Sequence, residues 1–248
     1  MDQKVAQRLI DLNKQFYQSF AADFSVTRTR LQPGVRRVLG KLPYELNLLD
    51  LGCGNGEIVR VLLEGGYTGR YIGVDSSPEL LSFARDITEK ISSADSGLSV
   101  EFIEADLISS DLSNTIPKPF FDQIFAFATL HHIPGVQNRN ACIQSIKKML
   151  SSGGELFHSE WQFLSSDRLR NRLQPWESIE IGSDQVDSND YLLDWRRGGL
   201  GLRYVHHFDE LELLRLAENN GFDIIETFYS DGANGRLGLY QLWQKKIV

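Results

Sequence analysis

The sequence reads Leu48-Leu49-Asp50-Leu51-Gly52-Cys53-Gly54-Asn55-Gly56 where an apolar run ends in an acid and three glycines follow at alternate positions. Residues 57–63 then show the apolar spacing of a helix. The pattern predicts a strand, a tight glycine loop and a helix, which form the first βα unit of a nucleotide-binding sheet. Glycine suits this loop because ligand atoms must approach the backbone closely. The helix N-terminus that follows favours a carboxylate or a phosphate.

The spacing of the glycines separates two cofactor classes. The dinucleotide fingerprint G-x-G-x-x-G would place its third glycine at position 57, which is Glu57. The spacing of Asp50, Gly52, Gly54 and Gly56 instead resembles motif I of the class I S-adenosylmethionine (SAM) dependent methyltransferases. The resemblance implies that this acid and these glycines surround the methionine end of SAM. A glycine-rich turn without a ligand is the alternative that the loop alone leaves open.

A second acid, Asp75, ends the next predicted strand, residues 71–75, at a distance of 25 residues from Asp50. A carboxylate at the carboxyl end of the second strand can accept hydrogen bonds from both hydroxyls of a ribose. We therefore assign Asp75 and the adjacent Ser76 to the cofactor site. Helix capping is the alternative role for the acid, because Pro78 is a favourable first residue of a helix.

The third and fourth predicted strands, residues 99–104 and 120–127, also end in candidate site residues. In the family that the glycine loop resembles, an acid after the third strand reaches the adenine amino group while apolar neighbours cover the ring. The resemblance therefore assigns Asp106 and Leu107 to the adenine, although Asp106 alone would equally suit a turn. Ala128 follows the fourth strand, and we assign it to the cofactor site as well.

Two adjacent histidines, His131 and His132, follow the fourth strand at the end of the sheet where open parallel sheets bind ligands. Adjacent side chains point in different directions, so we expect one of the two to reach the methyl group, and we favour His131. A histidine would serve as the base if the acceptor is a phenol, a hydroxyl or an amine.

A carboxylate acceptor would need a cation rather than a base, because this nucleophile is already ionised. The planar fork of arginine suits that task. The candidates are Arg28, Arg139 and Arg203, and a surface ion pair is the alternative role for each. The two cysteines, Cys53 and Cys142, give neither a disulfide framework nor a cysteine-rich zinc site, and we predict no metal.

The whole chain is predicted to be an α/β protein with a doubly wound, mostly parallel sheet of seven strands, the Rossmann-like fold of class I methyltransferases. Residues 1–45 are expected to form an N-terminal helical lid, and residues 46–248 the SAM-binding methyltransferase domain. Residues 162–207 interrupt the regular alternation of strands and helices after the fifth strand. An excursion of this length is expected to be a substrate-side insertion that caps the pocket.

Charge and hydropathy limit the partners. The net charge is −7, but residues 1–47 contain eight bases and four acids, so this arm carries +4 and the remainder −11. A basic arm could meet a polyanion, or it could simply be solvated. No run approaches the roughly 18 apolar residues of a membrane span, and the N-terminus lacks the apolar core of a signal peptide. We therefore expect a cytoplasmic protein without a membrane partner.

A narrower resemblance links the chain to the tRNA wobble-uridine methyltransferases. It rests on the glycine loop and on four further motifs: Phe24-Ser25-x-Thr27-Arg28, His131-His132 with Arg139, Asp194-Trp195, and Arg203-Tyr204-x-His206. That family forms a methyl ester on the carboxylate of 5-carboxymethyluridine in tRNA, in eukaryotes with a small activating partner subunit. The chain departs from the family in its acidic net charge and in the run His206-His207-Phe208.

Three functional hypotheses follow. The first is a SAM-dependent methyltransferase acting on modified uridine in tRNA. The second is the same chemistry on a small-molecule acceptor enclosed by residues 162–207. The third is a SAM-binding module that is catalytically silent and activates or recruits a partner.

Overall fold

A computed structural model describes residues 1–27, 30–92, 96–108, 112–116 and 120–247. Its ten strands are β1 (Glu45–Leu51), β2 (Thr68–Asp75), β3 (Leu98–Glu104), β4 (Phe121–Phe127), β5 (Leu150–Trp161), β6 (Leu173–Gln174), β7 (Asp190–Trp195), β8 (Gly201–His206), β9 (Phe222–Ser230) and β10 (Gly238–Lys245). Its helices are α1 (Gln3–Thr27), α2 (Pro33–Leu39), α3 (Glu57–Glu64), α4 (Pro78–Ile91), α5 (Leu112–Thr115), α6 (Val136–Met149), α7 (Asp167–Arg170) and α8 (Glu210–Asn219).

Seven of the strands form one sheet in the order β3-β2-β1-β4-β5-β10-β9. Strand β10 is antiparallel to both of its neighbours, and the other pairings are parallel. The predicted seven-stranded, mostly parallel sheet is therefore confirmed. The chain order reverses between β1 and β4, and ligands of open α/β sheets bind at the carboxyl ends of the strands beside such a reversal.

Apolar residues cover both faces of this sheet because neighbouring side chains of a strand point in opposite directions. Along β1, Leu48 belongs to the apolar cluster on one face, and Leu49 belongs to the cluster on the other face. Helices α2 and α3 supply the first cluster, and α6 and α8 supply the second. Both leucines are fully buried, and each contributes roughly 1.5–3 kcal/mol to folding. The sheet is doubly wound, as predicted.

Strands β6, β7 and β8 form a separate three-stranded antiparallel sheet within residues 162–207, the predicted insertion. Leu192 packs on one face against Leu9 of α1, and Leu193 packs on the other face against Phe163. The apolar stripe of α1 therefore covers this small sheet. The helix itself is interrupted at Phe20, whose φ of −120° and ψ of 16° are not helical.

Within the ranges given above, no helix is long and apolar enough to cross a membrane. Over the same ranges, no cluster of three or more histidine, cysteine or acidic side chains is placed to hold a metal ion.

Candidate active site

The glycine loop lies between the end of β1 and the start of α3. The backbone N–H of Gly52 donates to the carbonyl of Val74 over 2.7 Å, which ties the loop to the end of β2. Gly54 has a φ of 57°, and a Cβ added there would meet no atom within 4 Å. The loop is thus fixed on its protein side and open on the other side at Gly54. Gly56 is the N-cap residue of α3, with a φ of 82°.

Asp50, the acid of the glycine motif, points into the domain. Its side chain is 1% exposed, and its Oδ2 accepts a hydrogen bond of 2.7 Å from the hydroxyl of Tyr71. Burial raises the pKa of Asp50 to about 7, and the nearby Asp75 adds to the shift, while the bond from Tyr71 opposes it. The hydrogen bond from Tyr71 on β2 stabilises the carboxyl end of β1 from inside the domain. The contact with the methionine end of SAM stays a prediction for Asp50.

Asp75 lies half-buried at the carboxyl end of β2. Its two carboxylate oxygens accept hydrogen bonds of 2.9 Å from the backbone N–H groups of Gly54 and Ser77. Burial raises its pKa. Because a carboxylate offers about four acceptor positions, these bonds orient Asp75 and leave it able to accept from a ribose. The N-cap of α4 is Ser77, whose hydroxyl accepts from Leu80, so the capping role does not fall to Asp75. Ser76 is exposed beside it.

The end of β3 lies next to Asp75, because the N–H of Ala105 donates to the carbonyl of Asp75 over 3.1 Å. The following Asp106 is exposed, and its Oδ1 accepts from the N–H of Ile108 over 3.0 Å. Leu107 packs half-buried against the core. The structure therefore brings Asp106 and Leu107 to the same edge as Asp75, and Asp106 also stabilises its own turn.

Ala128 completes this edge with a strained backbone. It is exposed and has a φ of 52°, which residues other than glycine rarely adopt. Its N–H donates to the carbonyl and the hydroxyl of Ser159 on β5, both over 3.0 Å. Such conformations cost on the order of 1–3 kcal/mol and concentrate at functional sites. The strain supports the assignment of Ala128 to the site.

The two histidines occupy different environments. His131 is 1% exposed, and its Nδ1 lies 3.0 Å from Oε2 of Glu160 on β5. His132 is half-buried, and its Nδ1 lies 3.3 Å from the carbonyl oxygen of Tyr204. A carbonyl only accepts, so Nδ1 of His132 carries the proton in this bond. Its Nε2 then accepts from the hydroxyl of Tyr17, 2.9 Å away. The half-buried ring of His132 is more accessible than the buried ring of His131, the histidine that the sequence favours.

Glu160 is a functional candidate that the sequence analysis did not find. It is fully buried, and its Oε1 lies 2.9 Å from Nδ1 of His158, so one carboxyl group joins His158 and His131. Burial raises the pKa of Glu160 well above its usual value and lowers that of His158 to about 3. The sequence does hold one sign of this role, because Glu160 is an acid within a strand whose neighbouring residues predict burial.

The two predicted arginines that the structure describes, Arg139 and Arg203, contact different groups of residues. Arg139 is 4% exposed and donates to the carbonyl of Ile133 over 3.2 Å and to the hydroxyl of Tyr204 over 3.4 Å. It also lies 3.8 Å from Asp187 and 3.6 Å from Glu212. Arg139 is therefore ion-paired in the interior around the histidines, and a contact with an acceptor stays a prediction for it. Arg28 lies outside the described residues.

Arg203 occupies an aromatic box on β8. Its guanidinium carbon lies 4.7 Å from the ring centroid of Trp161, 5.3 Å from that of Phe16 and 5.8 Å from that of Trp195. The side chain is buried. Trp161 ends β5, so the box adjoins the carboxyl end of the main sheet. Among the predicted arginines that are described, Arg203 is the best placed to meet an acceptor.

Helix α1 joins the two halves of the site. Asn13 donates to the carbonyls of Tyr204 and His132 over 3.1 and 3.2 Å, and it accepts from the N–H of Tyr204 over 2.8 Å. At the other end of α1, the hydroxyl of Ser25 lies 3.0 Å from Nδ2 of Asn55 in the glycine loop. These contacts support the lid assigned to residues 1–45, which stays a prediction.

Comparisons with known proteins agree with this geometry. Residues 24–227 match the protein family described as a methyltransferase domain. The tRNA (carboxymethyluridine(34)-5-O)-methyltransferase of Schizosaccharomyces pombe is 25% identical over 236 residues, with 87% of this chain and 90% of that protein covered. The trans-aconitate 2-methyltransferase of Escherichia coli is 32% identical over 126 residues, or 50% of this chain, which spans only 42% of that relative.

The fold also has solved counterparts. A SAM-dependent methyltransferase from Methanosarcina mazei superposes with a TM-score of 0.65 at 23% identity, and the match covers 88% of this chain and 99% of that one. Together with the family match, this similarity confirms the predicted resemblance to class I methyltransferases.

Proposed function

Since the chain belongs to the methyltransferase-domain family, we propose that it uses SAM to methylate an acceptor carboxylate placed beside Arg203. The residues present fit SAM: the loop is open at Gly54, and Asp75 is oriented by two backbone N–H groups. Asp106, Leu107 and Ala128 lie at the same sheet edge. When bound, SAM supplies a methyl group already activated by its sulfonium.

The observation that carries the proposal is the position of Arg203. A buried guanidinium between aromatic rings gives a carboxylate a charged partner in a site of low polarity, where such a pair is stronger than in water. A carboxylate needs no base. The contribution of the chain is then to hold the acceptor oxygen and the methyl carbon in line, roughly 3–3.5 Å apart. Hydrogen bonds to Tyr17 and to Tyr204, the residue next to Arg203, hold the ring of His132 near the proposed acceptor position.

We propose 5-carboxymethyluridine of tRNA as the acceptor, with a methyl ester as the product. The similarity to the S. pombe tRNA methyltransferase over most of both chains supports this choice. A small activating partner subunit and a cytoplasmic location belong to the same proposal. A small-molecule acid is the second candidate, because the E. coli relative is named for trans-aconitate, whose carboxylates would also suit Arg203.

The test is methyl transfer from labelled SAM. Transfer RNA is first treated with mild alkali, which saponifies existing esters and regenerates carboxymethyl groups. We expect label in the tRNA that a second alkaline treatment releases as methanol. Label that resists alkali would contradict ester formation. Label in trans-aconitate but not in tRNA would favour the second candidate, and no transfer to either acceptor would favour the catalytically silent module.

Substitution of the proposed acceptor partner sharpens the test. We expect Arg203→Ala to raise the activation free energy obtained from kcat/KM by about 2–4 kcal/mol. The Kd for SAM should stay within about twofold of the wild-type value. Arg203→Lys keeps the charge but loses the planar fork, so it should recover part of the activity. Equal losses of SAM binding and turnover would remove Arg203 from the acceptor side.

A further inference from the structure

In and around the small sheet β6-β7-β8, an acidic segment of the sequence lies between two arginine-rich segments. Residues 173–193 contain five acids and no lysine or arginine. The flanking segments, residues 167–172 and 194–203, contain six arginines and two aspartates. In a chain of net charge −7, these two segments are a local positive exception.

The sheet register brings the two positive segments together. Strand β6 begins at Leu173, which pairs with Leu193 near the end of the antiparallel β7. The N–H of Asp194 then donates to the carbonyl of Arg172 over 3.0 Å. Both positive segments therefore meet at one end of the small sheet, which we call the arginine end. Its exposed or half-exposed members are Arg168, Arg170, Arg172, Arg196 and Arg197.

The arginine end adjoins the candidate active site. The ring of Trp195 lies 5.8 Å from that of Phe16 and 6.5 Å from that of Phe20, both on α1. Arg197 lies 4.0 Å from Asp23, just before the residue of α1 that contacts the glycine loop. Arg203, the proposed partner of the acceptor, also contacts Trp195. A single strand of RNA whose methylated base lies beside Arg203 would therefore pass over the arginine end when it leaves on this side.

The β7–β8 hairpin has the chemistry of a single-strand binder. Its tip reads Arg196-Arg197-Gly198-Gly199-Leu200, and Leu200 is 85% exposed. Arginine and glycine segments beside an aromatic ring bind single-stranded RNA, because arginine contacts phosphates and the ring stacks on a base. Arg196 has a partner in Asp194 at 2.7 Å. Asp194 is buried, but 56% of the Arg196 side chain is exposed, so the N–H groups of Arg196 that do not face Asp194 can contact a phosphate.

We propose that the arginine end is an RNA-binding surface, where the hairpin tip and α7 contact the phosphates of single-stranded nucleotides that flank the methylated base. The proposal rests on the proposed function, because a tRNA acceptor brings such nucleotides with it. It adds the surface that would distinguish an RNA acceptor from a free acid.

The experiment measures binding to an anticodon stem-loop RNA that carries 5-carboxymethyluridine, by fluorescence anisotropy at several salt concentrations. The test variant is Arg196→Gln/Arg197→Gln. The control is Lys148→Gln/Arg215→Gln, which removes the same charge from α6 and α8. We expect the test variant to weaken binding about tenfold and to lower the salt slope by about two, because two phosphate contacts are lost. The control should bind like the wild type.

A parallel assay separates the surface from the reaction. Methylation of the free nucleoside 5-carboxymethyluridine needs no phosphate contacts, so we expect the test variant to match the wild type there. If the wild type methylates tRNA and the two double variants bind RNA equally, the arginine end is overturned and the proposed function stands. If the wild type methylates neither acceptor but its RNA binding depends on Arg196 and Arg197, the surface stands and the proposed reaction fails. Absence of RNA binding by the wild type overturns the surface.

Discussion

The carboxyl group of Glu160 has two histidine neighbours and no contact with solvent. An ionised carboxylate without solvent is costly, so the group holds its proton to a higher pH than in water. The charged groups that act on it are Glu212, which favours the protonated form, and Arg139, which opposes it. A neutral carboxyl group can donate to one histidine and accept from the other. In this way Glu160 fixes the ring of His131, whose centroid lies 4.4 Å from that of the more accessible His132.

This protonation predicts a pH dependence for Glu160→Gln. The folded-state pKa is raised, so the wild type loses stability as pH rises from the ordinary glutamate pKa of about 4.3. Glutamine keeps the neutral shape and has no such loss. We therefore expect the variant to gain stability relative to the wild type between pH 5 and pH 8, as measured by urea unfolding. Glu89→Gln, on exposed α4 surface, is the control. A constant difference across the pH range would contradict the protonated carboxyl.

A second prediction concerns Asp75 and the affinity of the protein for SAM. Removing its carboxylate should leave ribose hydroxyls without an acceptor and weaken SAM binding by about 1–3 kcal/mol, or roughly 5- to 150-fold in Kd. Isothermal titration calorimetry of Asp75→Ala measures the change. Asp86→Ala removes an exposed acid from the adjacent α4 and should bind SAM normally. Unchanged affinity in Asp75→Ala would take this residue out of the site.

At the scale of elements, the strands that build the cofactor site were predictable and those that build the acceptor side were not. Strands β1 and β2 are apolar runs with an acid at or beside their ends, and β4 is largely apolar up to Phe127. Such runs are typical of buried parallel strands. Strands β7 and β8 are six residues each and interrupted by charge, and β6 has two residues. Their pairing depends on α1 and on Phe163, which are distant in sequence.

The attachment of α1 through Asn13 is a testable part of this arrangement. Asn13 makes three hydrogen bonds at 6% exposure. In Asn13→Ala the buried N–H of Tyr204 loses its acceptor, and the carbonyls of Tyr204 and His132 each lose one donor. We therefore expect a loss of about 1–3 kcal/mol in the free energy of unfolding. Gln15→Ala, on the exposed side of the same helix, should change it by less than about 0.5 kcal/mol. Chemical denaturation of both variants decides whether Asn13 anchors the helix.

Across the whole molecule, buried charges join the small sheet to the main domain. His206 of β8 lies 2.7 Å from Asp190 of β7 and 2.9 Å from Glu212 of α8. The sequence could indicate these residue types but not their meeting, because 16 positions separate His206 from Asp190. The same limit hid Glu160 and His131, which are 29 positions apart. Local pattern predicted the fold, whereas contacts between distant residues determine the acceptor side.

This junction predicts opposite pH effects for two adjacent histidines. Burial alone would lower the pKa of His206, but its bonds to Asp190 and Glu212 outweigh burial and raise it. The stability that it contributes is therefore present below the unfolded pKa of about 6.5 and is lost as pH rises through its folded pKa. The neighbouring His207 has a pKa lowered by burial and by the charge of His206. Its effect therefore has the opposite sign.

The measurement is the melting temperature from pH 5.5 to pH 8.5. We expect His206→Gln to lose most at the acidic end, and His207→Gln to lose least there. Parallel curves for the two variants would show that the histidine at the junction is not charged.

Helix α1 touches the glycine loop through Ser25 and the acceptor side through Asn13 and Tyr17. A ligand that changes how firmly one end of α1 is held therefore changes the free energy of binding a second ligand at the other end. Thermodynamic reciprocity then requires the two substrates to influence each other's affinity by the same factor. A single N-terminal segment thereby makes the thermodynamic coupling between the two ligands a property of the fold.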